Sequence, residues 1–439
     1  MPVPPPNADK LGPALQATRK RWVIIALLFF FMFINFADKA VIGLAGVPIM
    51  RALGLTPQQF GLVGSSFFFL FSVSAVVAGF IANRIESRRV LLAMALIWAL
   101  TQFPMLGAVT LPTLIACRVV LGAGEGPAYP VALHAAFKWF PNEQRTLPSA
   151  IISQGAAFGV VLALPALDWV IEHISWNWAF GVLGIIGLAW CAVWLVVGAE
   201  GELAAAITPA GAGPLDRVPY SRLLLNPTTF AAFACGFGAF WGLSLLVTWS
   251  TPYLIKGLGF SQYAASWLST LPWAMSVVAV ISIGWLSQRL LAQGVSTRVA
   301  RSMLGGGAVA LGGVALILMP LLPSNALKIA AMVIGTSVPS VIYVMGHAIL
   351  GEFTPVRQRG ALLAINNAVY TSAGLLGPYI MGSVVASAAT PAQGYERGFV
   401  ICGIVALIGG VIGLAFLRPQ HELARLGQDA AVAPSLAAE

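Results

Sequence analysis

The sequence predicts an all-α integral membrane protein: twelve transmembrane helices in two six-helix pseudo-repeats around a central cavity. Three observations lead there. Apolar residues make up 59% of the 439 and charged residues only 9%, against about 25% charged in soluble domains. Twelve apolar runs each reach the roughly 20 residues that cross a bilayer as a helix. The parts of the chain on either side of a polar stretch at 199–226 also repeat each other.

In order, a tail at 1–21 carries Pro2, Pro4, Pro5 and Pro6, has no apolar periodicity and is expected to be disordered. The first run, 22–47, is too long for a cleaved leader and contains Asp38 and Lys39, so it reads as a retained helix. Runs 60–82, 90–109, 111–134, 148–168 and 176–198 complete a first half over 22–198. The stretch 199–226, with Pro209, Gly211, Gly213 and Pro214, reads as a cytoplasmic linker. Runs 227–253, 264–287, 302–322, 327–350, 360–388 and 398–417 fill a second half over 227–418, and 419–439 is a second disordered tail. Gly79–Arg84 (GFIANR) answers Gly284–Arg289 (GWLSQR) 205 residues on, and Pro141–Arg145 (PNEQR) answers Pro355–Arg359 (PVRQR) 214 residues on.

A net charge of +9 raises the question of a nucleic-acid partner, but the basic residues are distributed as topology demands. They gather in alternate segments: Lys10, Arg19, Lys20 and Arg21; Arg84, Arg88 and Arg89; Lys138 and Arg145; Arg217 and Arg222; Arg289, Arg298 and Arg301; Arg357 and Arg359; Arg418 and Arg425. The intervening loops hold only Arg51, Lys256, Lys328 and Arg397. The positive-inside rule therefore puts both termini in the cytoplasm, in the cell's inner (plasma) membrane, with the bilayer and not nucleic acid as partner. Cys117, Cys191, Cys235 and Cys402 each fall in an apolar run without metal-like spacing, so no metal or cofactor is expected.

Away from the ends of the runs, where Asp168 and Lys328 stand, only Asp38, Lys39, Arg118 and Glu125 are charged. An ionisable group in hydrocarbon is costly unless it meets a partner or water, so these four form the primary functional hypothesis. Arg118 and Glu125 are seven residues apart, on one helix face and about 10 Å apart along the axis. Gly122, Gly124 and Gly126 allow close helix approach, while Pro127 and Pro130 kink the chain around Glu125. Asn35 shares a face with Asp38. Because desolvation raises a carboxylate's pKa and a nearby cation lowers it, a carboxylate beside a mobile cation can act as a proton switch. On this reading Asp38 and Glu125 take up protons, and Arg118, released from its carboxylate partner, binds an anionic substrate with two hydrogen bonds. The alternative for the cluster is a structural ion pair, and for Lys39 an anchor snorkelling to the interface.

Asn35-Phe-Ala-Asp38-Lys39 in the first run, Arg118-Val-Val-Leu-Gly-Ala-Gly-Glu125-Gly-Pro127-Ala-Tyr-Pro130 in the fourth, and Trp139-Phe-Pro141 through Arg145 after it resemble the major facilitator superfamily, and within it the anion:cation symporters. Parallel six-helix repeats with a midplane site between the halves suit that resemblance. It implies that the first and fourth helices border the cavity, bringing Asp38, Arg118 and Glu125 together, and that Gln154, Asn366 and Asn367 face the substrate. In the loop after the second run the family places an Asp before its Arg. Here Asn83 precedes Arg84, leaving Glu86, Arg88 and Arg89 to supply a substitute ion pair for gating, with Arg145 on the following cytoplasmic loop. Lys39 stands where the family has Arg, a point charge in place of a planar fork.

The second half has no charge in the interior of its runs, so it contributes hydrogen bonds, stacking and shape through Tyr343, Asn366, Asn367 and Tyr370. Phe71, Phe240 and Trp241 are candidate cavity walls, with packing as the alternative. His347 reads as a helix-end hydrogen-bonding group. The expected function is a proton-coupled secondary transporter importing a small organic anion, a sugar acid or aromatic acid, as a monomer. The alternatives are a proton-driven drug or metabolite exporter and a non-transporting sensor. Neither a paired nucleophile and base nor a phosphate loop is present to support an enzyme.

Overall fold

The computed structural model describes residues 8–81, 85–141, 144–201 and 218–426. Twelve helices cross in sequence: α1 (Ala8–Leu44), α2 (Pro57–Ser66 and Phe68–Ile81), α3 (Ser87–Gln102), α4 (Leu111–Glu125 and Ala128–Phe137), α5 (Thr146–His173), α6 (Trp176–Val197), α7 (Pro227–Pro252), α8 (Gln262–Leu268 and Leu271–Ala292), α9 (Leu304–Leu318), α10 (Asn325–Ser337 and Val341–Phe353), α11 (Val356–Thr371 and Ala373–Ser387) and α12 (Pro391–Phe416). Ten are long and apolar enough to span on length and composition. The other two, α2 and α4, span in two pieces. α4 breaks at Gly126 and Pro127, directly after Glu125, where proline removes a backbone donor.

Helix starts follow from local chemistry. Thr56 and Gln59 form a reciprocal capping box ahead of Pro57, and Thr110, Ser175, Asn226, Ser261, Ser324 and Thr390 each accept from a backbone N–H of the first turn. Such a cap is worth about 1 kcal/mol, and it satisfies donors that lipid cannot.

The elements differ from the expected domain plan at three places. α1 begins at Ala8, inside the tail expected to be unstructured to residue 21. Ala14, Leu15, Gln16 and Ala17 are good helix formers, and elongating an existing helix avoids nucleation. The linker contains a short helix, Tyr220–Leu224. The last tail is helical over 419–426, with Glu422 buried and near the Thr228 hydroxyl at 3.5 Å.

With an even number of crossings, the start of α1 and the end of α12 lie on one side, the terminal side. The opposite, far side is where the halves meet tightly. A Cβ on Gly43 of α1 would lie 2.1 Å from the Val247 carbonyl oxygen of α7, one on Gly61 of α2 would lie 2.4 Å from that of Pro378 on α11, and one on Gly382 would lie 2.3 Å from that of Pro57. Only glycine allows these backbones so close. Polar contacts reinforce the seam. Gln58 donates to the Tyr379 hydroxyl at 2.9 Å, the Tyr379 amide donates to Ser65 Oγ at 3.1 Å, and Ser72 and Thr371 share a bond of 2.6 Å nearer mid-membrane. Asp168 of α5 accepts from Gln262 at 2.9 Å and Ser266 at 3.0 Å on α8, and Gln262 also reaches the Leu44 carbonyl at 3.2 Å.

On the terminal side the two halves mirror each other. Arg145 folds back on the Phe140 carbonyl at 3.1 Å and Arg359 on that of Thr354 at 3.5 Å, each five residues upstream in the repeated PxxQR segment. Lys138 at the end of α4 binds Ser87 at the start of α3 (2.7 Å), and its counterpart Glu352 pairs with Arg301 at the start of α9. The tie recurs at the same position in both halves, with a cation at the end of α4 in the first and an acid at the end of α10 in the second.

Candidate functional site

The four charged residues of the first half converge in its interior. Lys39 Nζ lies 2.8 Å from Glu125 Oε2 and donates to Asn35 Oδ1, one turn back on α1. Three rings surround the ammonium, Phe36 at 4.4 Å, Phe71 at 5.6 Å and Phe67 at 5.9 Å from their centroids. Arg118 stacks over Phe67 at 4.6 Å and donates through Nη1 to the Asp38 backbone carbonyl at 3.4 Å, while its Nε has no hydrogen-bond partner. The Asp38 carboxylate, 1% exposed, has Gln102 beside it and leaves Oδ1 unpartnered.

The anchor alternative for Lys39 is corrected here. Lys39 is not an interfacial anchor, since its side chain is 12% exposed and held by Glu125. The ion-pair partner of Glu125 is Lys39 and not Arg118. Seven residues of rise separate Arg118 from Glu125 on α4, about 10.5 Å, so Arg118 sits level with the Asp38 backbone while Lys39 reaches down to Glu125. Taken together, two cations and two acids give the cluster formal neutrality, which lowers the cost of burying it.

Across the seam lies an aromatic and amide group from α7, α10 and α11. Tyr343 and Tyr370 pack with ring centroids 5.3 Å apart, Phe240 lies 5.7 Å from Tyr370, and Tyr370 donates to Asn367 Oδ1 at 2.5 Å. The Tyr343 hydroxyl and Asn366 Oδ1 are buried without partners. His347 bonds the Tyr343 carbonyl one turn back on α10. Rings connect the two groups: Phe71 to Phe68 at 5.9 Å, and Phe68 to Phe240 at 5.5 Å. Trp241 is buried between α7 and α11, its indole edge against Gly377, and Gln154 is half-buried on α5.

Of the residues expected to gate, Arg84 lies outside the described residues. Arg88 donates to the Leu195 carbonyl at 2.7 Å, joining α3 to α6, and Arg89 pairs with Glu86 at 3.0 Å on the surface. A half-buried acid on this side, Glu200, was not singled out in the sequence. It takes Lys138 at 2.7 Å and the Ser87 amide at 2.7 Å, tying the linker's first residues to α3 and α4. Asp168 was missed because the apolar run was ended at 168, yet α5 continues to His173, with Trp169, Val170 and Ile171 as the available signal. Among the described residues no three His, Cys, Asp or Glu side chains come together as a metal site.

Comparison with known proteins adds the following. The sequence pattern of the Major Facilitator Superfamily matches residues 28–339 and 290–437. The sodium-dependent phosphate transport protein 1 of Arabidopsis thaliana chloroplasts is 27% identical over 65% of this chain, which spans 58% of that protein's length. The D-galactonate transporter of Escherichia coli O6:H1 is 27% identical over 68% of this chain and 72% of its own. A probable sulfoacetate transporter of Cupriavidus necator is 26% identical over 92% and 95%. In fold, the crystal structure of a D-xylose–proton symporter superimposes with a TM-score of 0.74 at 15% identity, covering 91% of this chain and 99% of that one.

Proposed function

The chain belongs to the major facilitator superfamily, a family of membrane transporters and not of enzymes, and from that premise we propose that it is a proton-coupled carrier importing a small organic anion. The observation that carries the reading is Arg118. It is a buried guanidinium that donates to a backbone carbonyl and whose Nε is unpartnered, while Glu125 is occupied by Lys39. Such a fork is suited to a carboxylate, which it can hold with two charge-assisted bonds.

Coupling follows from charge balance. With both acids ionised the cluster is neutral, and an added anion makes it negative in a low-dielectric setting. A proton on Glu125 releases Lys39 and leaves a net positive charge that a monocarboxylate neutralises. Proton and anion therefore favour each other's binding, and by linkage each raises the other's affinity by the same factor. Asp38, whose Oδ1 is unpartnered, is the second proton acceptor in this scheme. Across the seam, Tyr343 and Asn366 present unpartnered polar atoms to substrate hydroxyls, and Asn367, Gln154, Phe71 and Trp241 complete the candidate lining.

The basic terminal side is cytoplasmic in this reading, and the membrane is the plasma membrane. The structure is then the form closed to the outside, and transport proceeds by rocking of the halves about the midplane cluster, with gating at the terminal side by Arg84, Arg88, Arg89 and Arg145. Co-entry of at least as many protons as substrate charges removes the opposition of the membrane potential, about 2.3 kcal/mol per charge per 100 mV. Relatives named for galactonate and sulfoacetate support an anionic substrate, and the hydroxyl-binding groups favour a sugar acid.

The test is uptake into proteoliposomes of radiolabelled sugar acids and aromatic acids, with an inward proton gradient, an inward sodium gradient or neither. Proton-stimulated accumulation of one acid is the expected result. Stimulation by sodium alone would overturn the proton coupling, and gradient-driven movement of a cationic dye with no acid uptake would replace the reading with an exporter.

A further inference from the structure

Outside the transport cluster, a cleft on the terminal side lies between α1, where its apolar stretch begins, and the ends of α3 and α6. It has a volume of about 570 Å³ and is lined by Arg19, Lys20, Val23, Arg88, Val196 and Val197 among others. We propose that this cleft binds the phosphodiester headgroup of an anionic phospholipid.

Three arguments meet there. The first is charge: among the described residues three cations line the cleft and no acid does, with Glu86 paired to Arg89 at 3.0 Å and Glu200 to Lys138 at 2.7 Å. The second is preorganisation. Arg88 is fixed by its bond to the Leu195 carbonyl at 2.7 Å, which also masks a carbonyl at the negative end of α6 that would repel an anion. That bond uses one of the five N–H donors of the guanidinium. The third is position. Arg19 and Lys20 lie on α1 just before the first apolar run, Arg88 is the second residue of α3, and Val197 is the last of α6, so α1 enters the hydrocarbon at the level where α3 begins and α6 ends. Val196 is 85% exposed and Val23 39% exposed on the rim. A soluble anion would leave those side chains bare, whereas a lipid lays its acyl chains against them while its phosphate meets the cations. Basic pockets between membrane helices at this level suit anionic headgroups.

The test is native mass spectrometry of the full-length protein in detergent with phosphatidylglycerol or phosphatidylcholine added, with and without inorganic phosphate as competitor. The expected result is preferential retention of phosphatidylglycerol, unaffected by millimolar phosphate, and a loss of about 25-fold in R19Q/K20Q, from about fivefold per basic side chain at an anionic surface. R88Q should weaken retention further. Because Arg88 also supports the end of α6, R19Q/K20Q, whose side chains are exposed, is the deciding variant. Equal retention of the two lipids, or undiminished retention by R19Q/K20Q, overturns the proposal. Displacement of the lipid by inorganic phosphate would reassign the cleft to soluble anions. Transport is not the readout, so this result is independent of the carrier assignment.

Discussion

Replacing Asp168 should unlatch the far side. Its carboxylate accepts from Gln262 and Ser266, the contact that joins α5 of the first half to α8 of the second. A hydrogen bond to a charged group contributes about 1.5–3 kcal/mol. Gln262 keeps the Leu44 carbonyl and Ser266 keeps that of Tyr263 at 2.8 Å, so the lower figure applies to each. Asp168→Ala then costs the closed form about 3 kcal/mol, or about 150-fold in the opening equilibrium at 1.4 kcal/mol per tenfold. Asp168→Asn, which retains one acceptor, should shift it about tenfold. The reporter is Ser65→Cys in a background with the four native cysteines replaced. Ser65 is 1% exposed inside the seam, so a bulky maleimide reacts there only when the halves part, and the rate tracks the open fraction. Unchanged reactivity in Asp168→Ala would refute the latch and leave Asp168 as a helix-packing residue of α5.

Gly43→Ala should have the same sign by another route, because its Cβ would meet the Val247 carbonyl at 2.1 Å; the expected outcome is faster Ser65→Cys labelling and impaired transport. Glu125→Gln removes the partner of Lys39 and should abolish proton-driven accumulation while substrate counterflow persists; full accumulation would remove Glu125 from the coupling scheme. Arg118→Lys keeps the charge but loses the fork, and the half-saturation concentration for the acid should rise about tenfold or more, one charge-assisted bond being worth at least about 1.5 kcal/mol. Unchanged affinity there would make Arg118 structural.

The charged cluster and the break beside it were legible because they violate their surroundings: Asp38, Lys39, Arg118 and Glu125 stand in apolar runs, and Pro127 cannot continue a helix. Which cation holds which acid was not legible. It depends on the axial offset between α1 and α4, and the longer reach of Lys39 to Glu125 appears only once both helices are placed. The far-side seam was hidden for a different reason. Gly43, Gly61 and Gly382 contribute bare backbone, and Gln58, Ser65 and Tyr379 contribute neutral hydrogen bonds, none of which has a sequence signature. Asp168 and Glu200 were obscured by element boundaries, since each sits at the edge of an apolar run whose helix or loop carries it inward.

The asymmetry between the halves bears on what can be carried. The first half offers charge, through Arg118 and the Lys39–Glu125 pair, while the second offers the unpartnered Tyr343 hydroxyl and Asn366 carbonyl among stacked rings. A ligand shifts a conformational equilibrium only by its differential affinity for the two states. Under the proposed function, an anion that touches Arg118 alone binds the first half equally well in either arrangement and gives the second half no reason to move. A hydroxylated acid that reaches from Arg118 to Tyr343 gains its second set of contacts only when the halves enclose it. Acetate should therefore compete weakly for binding yet fail to accelerate exchange of preloaded sugar acid, whereas a sugar acid should do both. Exchange driven equally by acetate would mean that the carboxylate alone operates the carrier, and the polar groups of the second half would then be packing.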